Sequence, residues 1–344
     1  MTRRSLIMSA VAMALRKEKV DEAVALIQSQ VDSGSVRAAS LHVCQGKQIV
    51  DRAFGAAKTP AAVFLLASIS KPMTASAVML FSDRKQLSLE DPVNKFIPEF
   101  RGGEKDRILI RHLLTHTSGL PDMLPDNDAL RKRHAPLKDF VAATCATPLL
   151  FSPGTSVKYQ SMGVLLAAEI VERISKRPLP DFLRDEIYRP LGMKDTSLGL
   201  GGRDLNETMQ CQVEQQNDWD WNSAYWRNLG SPWGGAHATA ADVGRFLRYF
   251  VEPNPPVLKP ATVAAMTTDQ NRGLNTPWGI GWMLARGMGK HSSPRTFGHS
   301  GSTGTISWMD PEKGVSFVLL TTKPSALSNR SLLAPVSDVI SEVV

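Results

Sequence analysis

Cysteine is scarce. Cys44, Cys145 and Cys211 are the only three, odd in number and widely spaced, which excludes a disulfide framework and offers no metal-ligand spacing. No zinc, phosphate-loop or dinucleotide motif appears, so neither a metal nor a cofactor is expected. No apolar run is long enough to cross a bilayer; the best candidate, Leu6 to Leu15, is too short. The net charge of +7 invites a nucleic-acid reading, but the basic residues are dispersed. Their one tight cluster, Arg131-Lys132-Arg133-His134, has no interleaved aromatics and reads as a solvated face, so no nucleic-acid partner is expected.

What is present is enough apolar residue for a large core: 42% of 344 residues, more than one core usually holds, which predicts two lobes. At the N-terminus, Arg3-Arg4 precedes the apolar Leu6 to Leu15 and an Ala12-x-Ala14 site, which resembles an export signal. Against this, an amphipathic helix over Val20 to Val31 follows at once, so residues 1–19 read as an export signal or a helical arm. A periplasmic or exported location is slightly favoured over a cytoplasmic one.

Two β-like runs, Ala38 to Cys44 and Lys47 to Ala53, are split by Gln45-Gly46 and read as a hairpin. Strand patterns return at Trp278 to Leu284, Thr296 to His299, Thr305 to Met309 and Val315 to Thr321, before a last helix from Ser331 to Val344. Between them the period is mostly helical. The expected fold is α/β (α+β): an antiparallel sheet built from both chain ends and flanked by helices, with an inserted helical lobe. The sheet lobe covers about 20–66 and 235–344, the helical lobe about 67–234.

At the junction stands Ser68-Ile-Ser-Lys71. Apolar extended residues end at Ala67, and Met73, Ala77 and Leu80 then recur at helical spacing, so Ser68 falls on the first turn of a buried helix. Pro72 fits only near such a beginning. Serine and lysine three apart share a face, and the helix N-terminus favours an anion there, an arrangement that prepares a nucleophile. A second match, Ser82-Asp-Arg-Lys85, lies in a polar run and reads as solvated surface. His112 and His116 are four apart without a third ligand and read as packed or capping. Tyr159 and Ser161, two apart in an extended segment, point to one side. The aromatic loop holding Trp219, Trp221, Tyr225, Trp226 and Trp233 reads as a cover between lobes, or else a cleft wall. In Phe297-Gly-His-Ser-Gly-Ser302 the glycines suggest a ligand approaching a strand edge with free N–H groups.

Ser68-x-x-Lys71, Tyr159-x-Ser161 and His299-Ser300-Gly301, in that order, resemble the serine β-lactamase and penicillin-binding-protein superfamily, in the branch of class C β-lactamases and their esterase and D-peptidase relatives. His112-Leu-Leu-Thr-His-Thr-Ser-Gly-Leu and Asp310-Pro-Glu-Lys-Gly are similar to the same branch. The resemblance implies that Ser68 is acylated, that Lys71 is a charged neighbour helping to take its proton, and that Tyr159 is the general base. It places the oxyanion hole at the N–H groups of Ser68 and Ser302, with Ser161, His299, Ser300 and Gly301 contacting substrate. Two departures stand out: Ser161 replaces the usual asparagine, and His299 replaces the usual lysine. Both favour neutral esters over penicillins, so the implied function is a serine hydrolase acting through an acyl-enzyme on small esters, with weak β-lactamase activity. A D-stereospecific peptidase or amidase and a β-lactamase are the enzyme alternatives, and a non-turnover penicillin-binding sensor is the alternative of another class. The partner is a small ester or amide.

Overall fold

The computed structural model describes residues 15–285 and 288–343. The expected signal or arm therefore lies mostly outside the described residues; from Arg16, whose N–H donates to the Val343 carbonyl at 2.9 Å, the chain enters helix α1 (Lys17–Asp32).

Nine strands are present among the described residues: β1 (Ala38–Gln45), β2 (Gln48–Gly55), β3 (Phe64–Leu65), β4 (Ser197–Leu198), β5 (Ala236–Ala238), β6 (Met283–Leu284), β7 (Phe297–Gly301), β8 (Thr305–Asp310) and β9 (Val315–Thr321). Six form one antiparallel sheet in the order β2-β1-β9-β8-β7-β6, so the first hairpin pairs with the end of the chain through β1 and β9. The remaining three form a small sheet, β3-β5-β4. Leu41, Val43, Phe317 and Leu319 face α1 and the C-terminal helix Ala334–Ser341, while Val318 and Leu320 face Phe246 and Leu247 of the helix Ala240–Tyr249. Cover on both faces explains why β1 and β9 read as continuous apolar runs rather than alternating ones.

The intervening segment carries α2 (Ser70–Asp83), α3 (Ile110–Leu114), α4 (Asn127–Lys132), α5 (Leu137–Ala146) and α6 (Met162–Ser175). Every residue of α2 from Ser70 to Phe81 is buried, the polar Ser70, Lys71, Thr74 and Ser76 included, as for a helix packed on all sides at the centre of the molecule.

Two elements differ from the sequence pattern. Of Trp278 to Leu284 only Met283 and Leu284 join the sheet, because the chain bends at Gly281, whose φ is +78°, and Gly279 lies so close to the Met266 carbonyl that a Cβ would sit 2.2 Å from it. The last helix starts earlier than Ser331 and is not uniform: a turn at Ser325–Ser328 widens into a π segment, Asn329–Leu333, before the α-helix from Ala334. Pro335 lacks the N–H that would bond Ser331, and the ladder widens where its ring would clash.

Candidate active site

Ser68 occupies the middle of a 3₁₀ turn, Ala67–Ile69, that runs directly into α2. The turn is strained and firmly held. Ala67 has φ +49°, a left-handed conformation costly for a residue with a Cβ. Ser70 holds it there, its hydroxyl donating to the Ala67 carbonyl at 2.7 Å and accepting from the Ala236 N–H at 2.9 Å. On the other side the hydroxyls of Thr303 and Thr305 donate to the carbonyls of Leu65 and Leu66, each at 2.8 Å. Gly301 permits this approach: a Cβ there would lie 2.3 Å from the Leu66 carbonyl oxygen. Gly298 is equally constrained by β8, with Ser307 O at 2.2 Å from a Cβ. The glycines on either side of His299 thus allow close contact between chain segments.

Lys71 is 1% exposed, and its Nζ donates to Ser68 Oγ at 2.9 Å and to the Trp233 carbonyl at 3.0 Å. Burial pulls its amine down to about 7, opposed by the Asp122 carboxylate nearby. Its Nζ also lies 4.8 Å from the centre of the Tyr159 ring. Burial holds the Tyr159 phenol well above its ordinary value, with the Ser68 hydroxyl pulling the other way.

Tyr159 is positioned by the residue after it. The Gln160 side chain turns away from the cleft, accepting from Ser118 Oγ at 2.5 Å and donating to the carbonyls of His112 and Leu113 at 3.0 and 3.3 Å. Its main-chain N–H donates to His116 Nδ1 at 3.1 Å. With Gln160 anchored inward, Tyr159 and Ser161 point together into the cleft, as the spacing predicts. His116 packs against Tyr159 and Trp278 with ring centres 4.7 and 4.4 Å apart, and His112 Nδ1 accepts from the Leu109 N–H at α3's start. Burial depresses both histidines, His112 to about 4, so both stay neutral, packed and capping.

His299 is neutral as well. Nδ1 donates to the Ser300 carbonyl at 2.7 Å, which leaves Nε2 as an acceptor, buried and without a partner among the described residues. Burial and Lys71 push it down to about 3, so the imidazole carries no charge near pH 6. β6 pairs with β7 only at Phe297 and Gly298, which leaves the edge from His299 to Gly301 open to the cleft. Ser302 follows, its carbonyl held by the Ser325 N–H at 2.9 Å.

These residues line a cavity of about 620 Å³. Ser68, Tyr159, Ser161, His299, Ser300, Gly301 and Ser302 all border it, with Lys71 buried behind Ser68. Trp221, Trp226 and Trp233 form one wall, so the aromatic loop is a cleft wall; Trp226 and Trp233 also enter the core. Polar residues on this cavity that escaped sequence reasoning include Asn127, Arg131 and Asp122. Asn127 and Arg131 are four apart on α4 and share a face, so Arg131 leaves the solvated cluster and turns inward, its guanidinium 4.0 Å from the Trp226 ring centre and bonded to the Trp219 carbonyl at 2.7 Å. Lys132, Arg133 and His134 remain exposed. Asp122 accepts the Ser161 hydroxyl at 2.6 Å, so Ser161 spends its polar group on Asp122 and presents that carboxylate to the cleft. The one sequence signal for Arg131 is the tryptophan loop that stacks on it; for Asp122 there was none.

A serine and a lysine in contact at a helix start, beside a tyrosine and an open strand edge, define a serine acyl-transfer type of site. The family model described as Beta-lactamase matches residues 23–338, and the chain belongs to that family. It is similar to Esterase EstB of Burkholderia gladioli, 31% identical over 197 residues that make up 53% of this chain and 48% of EstB. The chain thus spans about half the length of the curated relatives it matches. Among solved structures, EstCE1, a hydrolase with promiscuous acyltransferase activity, superposes with a TM-score of 0.78 at 20% identity, covering 94% of this chain and 99% of that one. The D-amino acid amidase of Ochrobactrum anthropi SV3, complexed with D-phenylalanine, gives 0.78 at 22% identity over 95% and 98%. Both likenesses bear on the fold alone.

Proposed function

We propose that this chain is a serine hydrolase that forms an acyl-enzyme on Ser68 and acts preferentially on small carboxylic esters. The observation that carries this is the contact of Lys71 with Ser68 in a setting that lowers the amine to about 7. A neutral amine at 2.9 Å is a base in the right place. Burial favours the protonated phenol of Tyr159, so in this reading Lys71 takes the proton of Ser68 and Tyr159 relays it to the leaving group, a division of roles that differs from the general-base role the family resemblance implies for Tyr159. The N–H groups of Ser68 and Ser302 are assigned to the oxyanion, a reading that the close approach of Gly301 to Leu66 and Ala67 supports. Similarity to Esterase EstB and the uncharged His299 support esters; the fold shared with the D-amino acid amidase keeps amides as the second reading. The two-lobe division, with the cleft at the junction, and export through the Arg3-Arg4 start belong to the same reading.

The test is a panel of p-nitrophenyl esters, a chromogenic cephalosporin and D-alanyl peptides, followed from burst to steady state. Steady release from the esters is expected to exceed that from the other two classes. A burst without turnover on every substrate means a sensor, and no acylation of Ser68 sinks the reading altogether.

A further inference from the structure

A second concave site shares none of the residues that line the catalytic cavity. It is a cavity of about 430 Å³ between the helix Leu179–Leu183, the π segment Arg184–Tyr188 and the turn that follows β4. Arg184, Arg189, Lys194 and Arg203 line it, against the one carboxylate of Asp181. The neighbouring acids do not balance these cations. Asp181 pairs with Arg184, Asp185 is shared by Arg177, Arg184 and Arg189, and Glu186 is shared by Arg84 and Arg177. Lys194 is exposed, and no Asp or Glu oxygen among the described residues lies within ion-pair distance of it or of Arg203.

Arg203 separates this cluster from a solvated basic face. Its half-buried guanidinium donates from Nη1 to Ser197 Oγ at 2.9 Å and to the Leu200 carbonyl at 3.1 Å, both neutral acceptors. Ser197 is fixed in turn, its hydroxyl donating to the Gly199 carbonyl at 2.7 Å. Gly201, at φ +65°, makes room for this arrangement, since a Cβ there would lie 2.5 Å from Ser197 Cβ. Nε and Nη2 of Arg203 have no protein partner among the described residues. A guanidinium already held in place loses little further freedom when its remaining donors bind a ligand. Pro180, Met193 and Tyr188 supply apolar surface beside the cations. Guanidinium forks match phosphate in geometry, and a phosphate monoester carries close to two charges at neutral pH where a carboxylate carries one. A cavity of this volume holds a small organic molecule.

We propose that this cavity binds a phosphate monoester, its phosphate held by Arg203 and Lys194 with Arg184 and Arg189 adding charge, and its organic part against Pro180 and Met193. The site does not depend on the acyl-transfer chemistry proposed above. A soluble phosphate ester and a lipid headgroup of the same kind present the same group, and the experiment separates them.

The full chain is titrated with phenyl phosphate by calorimetry at constant ionic strength. One saturable site is expected, and Arg203→Met should weaken it by about ten- to a hundredfold, the worth of hydrogen bonds to a charged group. Lys194→Met, at an exposed side chain, should weaken it by about two- to fivefold. Lys85→Met removes the same charge elsewhere and should leave the affinity at the wild-type value. Should Arg203→Met disturb the turn it braces, the contrast between Lys194→Met and Lys85→Met carries the test; p-nitrophenyl ester turnover at the wild-type level shows that the variants are folded. Co-sedimentation with phosphatidylcholine vesicles containing about one-fifth phosphatidic acid identifies the source. Capture that is lost in Lys194→Met and Arg203→Met assigns a lipid headgroup, and calorimetric binding without capture assigns a soluble ester; both support the site. The proposal is overturned if phenyl phosphate does not bind, if it binds Arg203→Met and Lys194→Met as tightly as wild type, or if Lys85→Met loses as much affinity as Lys194→Met.

Discussion

Ser68 and Lys71 open helix α2, and Ser82 and Lys85 close it with the same spacing. At the first end the lysine is 1% exposed, bonded to its serine and reduced to about 7. At the second, Lys85 is exposed in the left-handed turn past the helix end, φ +59°, and meets Ser82 only through main-chain atoms, its N–H donating to the Ser82 carbonyl at 3.0 Å. The residue types and the interval are identical; what differs is water. An ammonium in solvent keeps its proton and cannot serve as a base, while one enclosed at a helix N-terminus loses it near neutral pH.

The comparison breaks hardest at the nucleophile. Ser68→Ala is expected to abolish covalent labelling by a fluorophosphonate probe and to cut ester turnover by about a thousandfold or more, while Ser82→Ala leaves both at wild-type level. Labelling that survives the first change removes Ser68 from the mechanism. Next comes Tyr159→Phe, which should fold normally and lose about two to four orders of magnitude in turnover, the usual contribution of a placed proton-transfer group. Turnover within a few-fold of wild type would leave Tyr159 as packing.

The pH profile sharpens the contrast between the lysines. Lys71 must be neutral to take the proton, so kcat/KM for a neutral ester should fall about tenfold per pH unit below a pKa near 7. Lys85→Met should leave that limb in place. Asp122→Asn should move it to lower pH, because the carboxylate is what raises Lys71 against its burial. His299 and His112, at about 3 and about 4, cannot produce a limb near 7. An unshifted limb in Asp122→Asn would assign it to another group.

Stability gives smaller effects. Because Lys71 drops from 10.5 in the unfolded chain to about 7 when folded, the unfolded state binds the extra proton between those values, and wild-type stability rises with pH across that window. Lys71→Met removes the penalty and should gain about 2 kcal/mol at pH 7 by guanidinium unfolding, the gain shrinking as pH approaches 10.5, at the expense of activity. At the other end, Lys85→Gly relieves a left-handed lysine but loosens the unfolded chain, for a net change of about 0.5 kcal/mol or less. A stabilisation at Lys85 comparable with that at Lys71 would mean that burial is not what separates the two pairs.

Much of the site was legible because its parts are local. Ser68 and Lys71 share a helix face, Tyr159 and Ser161 share a side of an extended segment, and the family's order of motifs links them to His299. The readings that failed concern contacts across the chain. Arg131 looks like one of four solvated bases until a loop nearly a hundred residues later stacks on it. The Trp278 strand lost most of its length to a bend at Gly281 that packing against Pro72 and Ala75 imposes.

The sequence by itself determined the serine–lysine pair, the strand pattern at both chain ends and the helical middle, since each depends on the spacing of side chains along a regular backbone. Only the tertiary structure decided which groups carry charge: Lys71 losing its proton, His299 kept neutral, and Asp122 facing the cleft from the hydroxyl of Ser161. The reason is that ionisation follows burial and the nearest opposite charge, and both come from segments that meet only when the chain is folded.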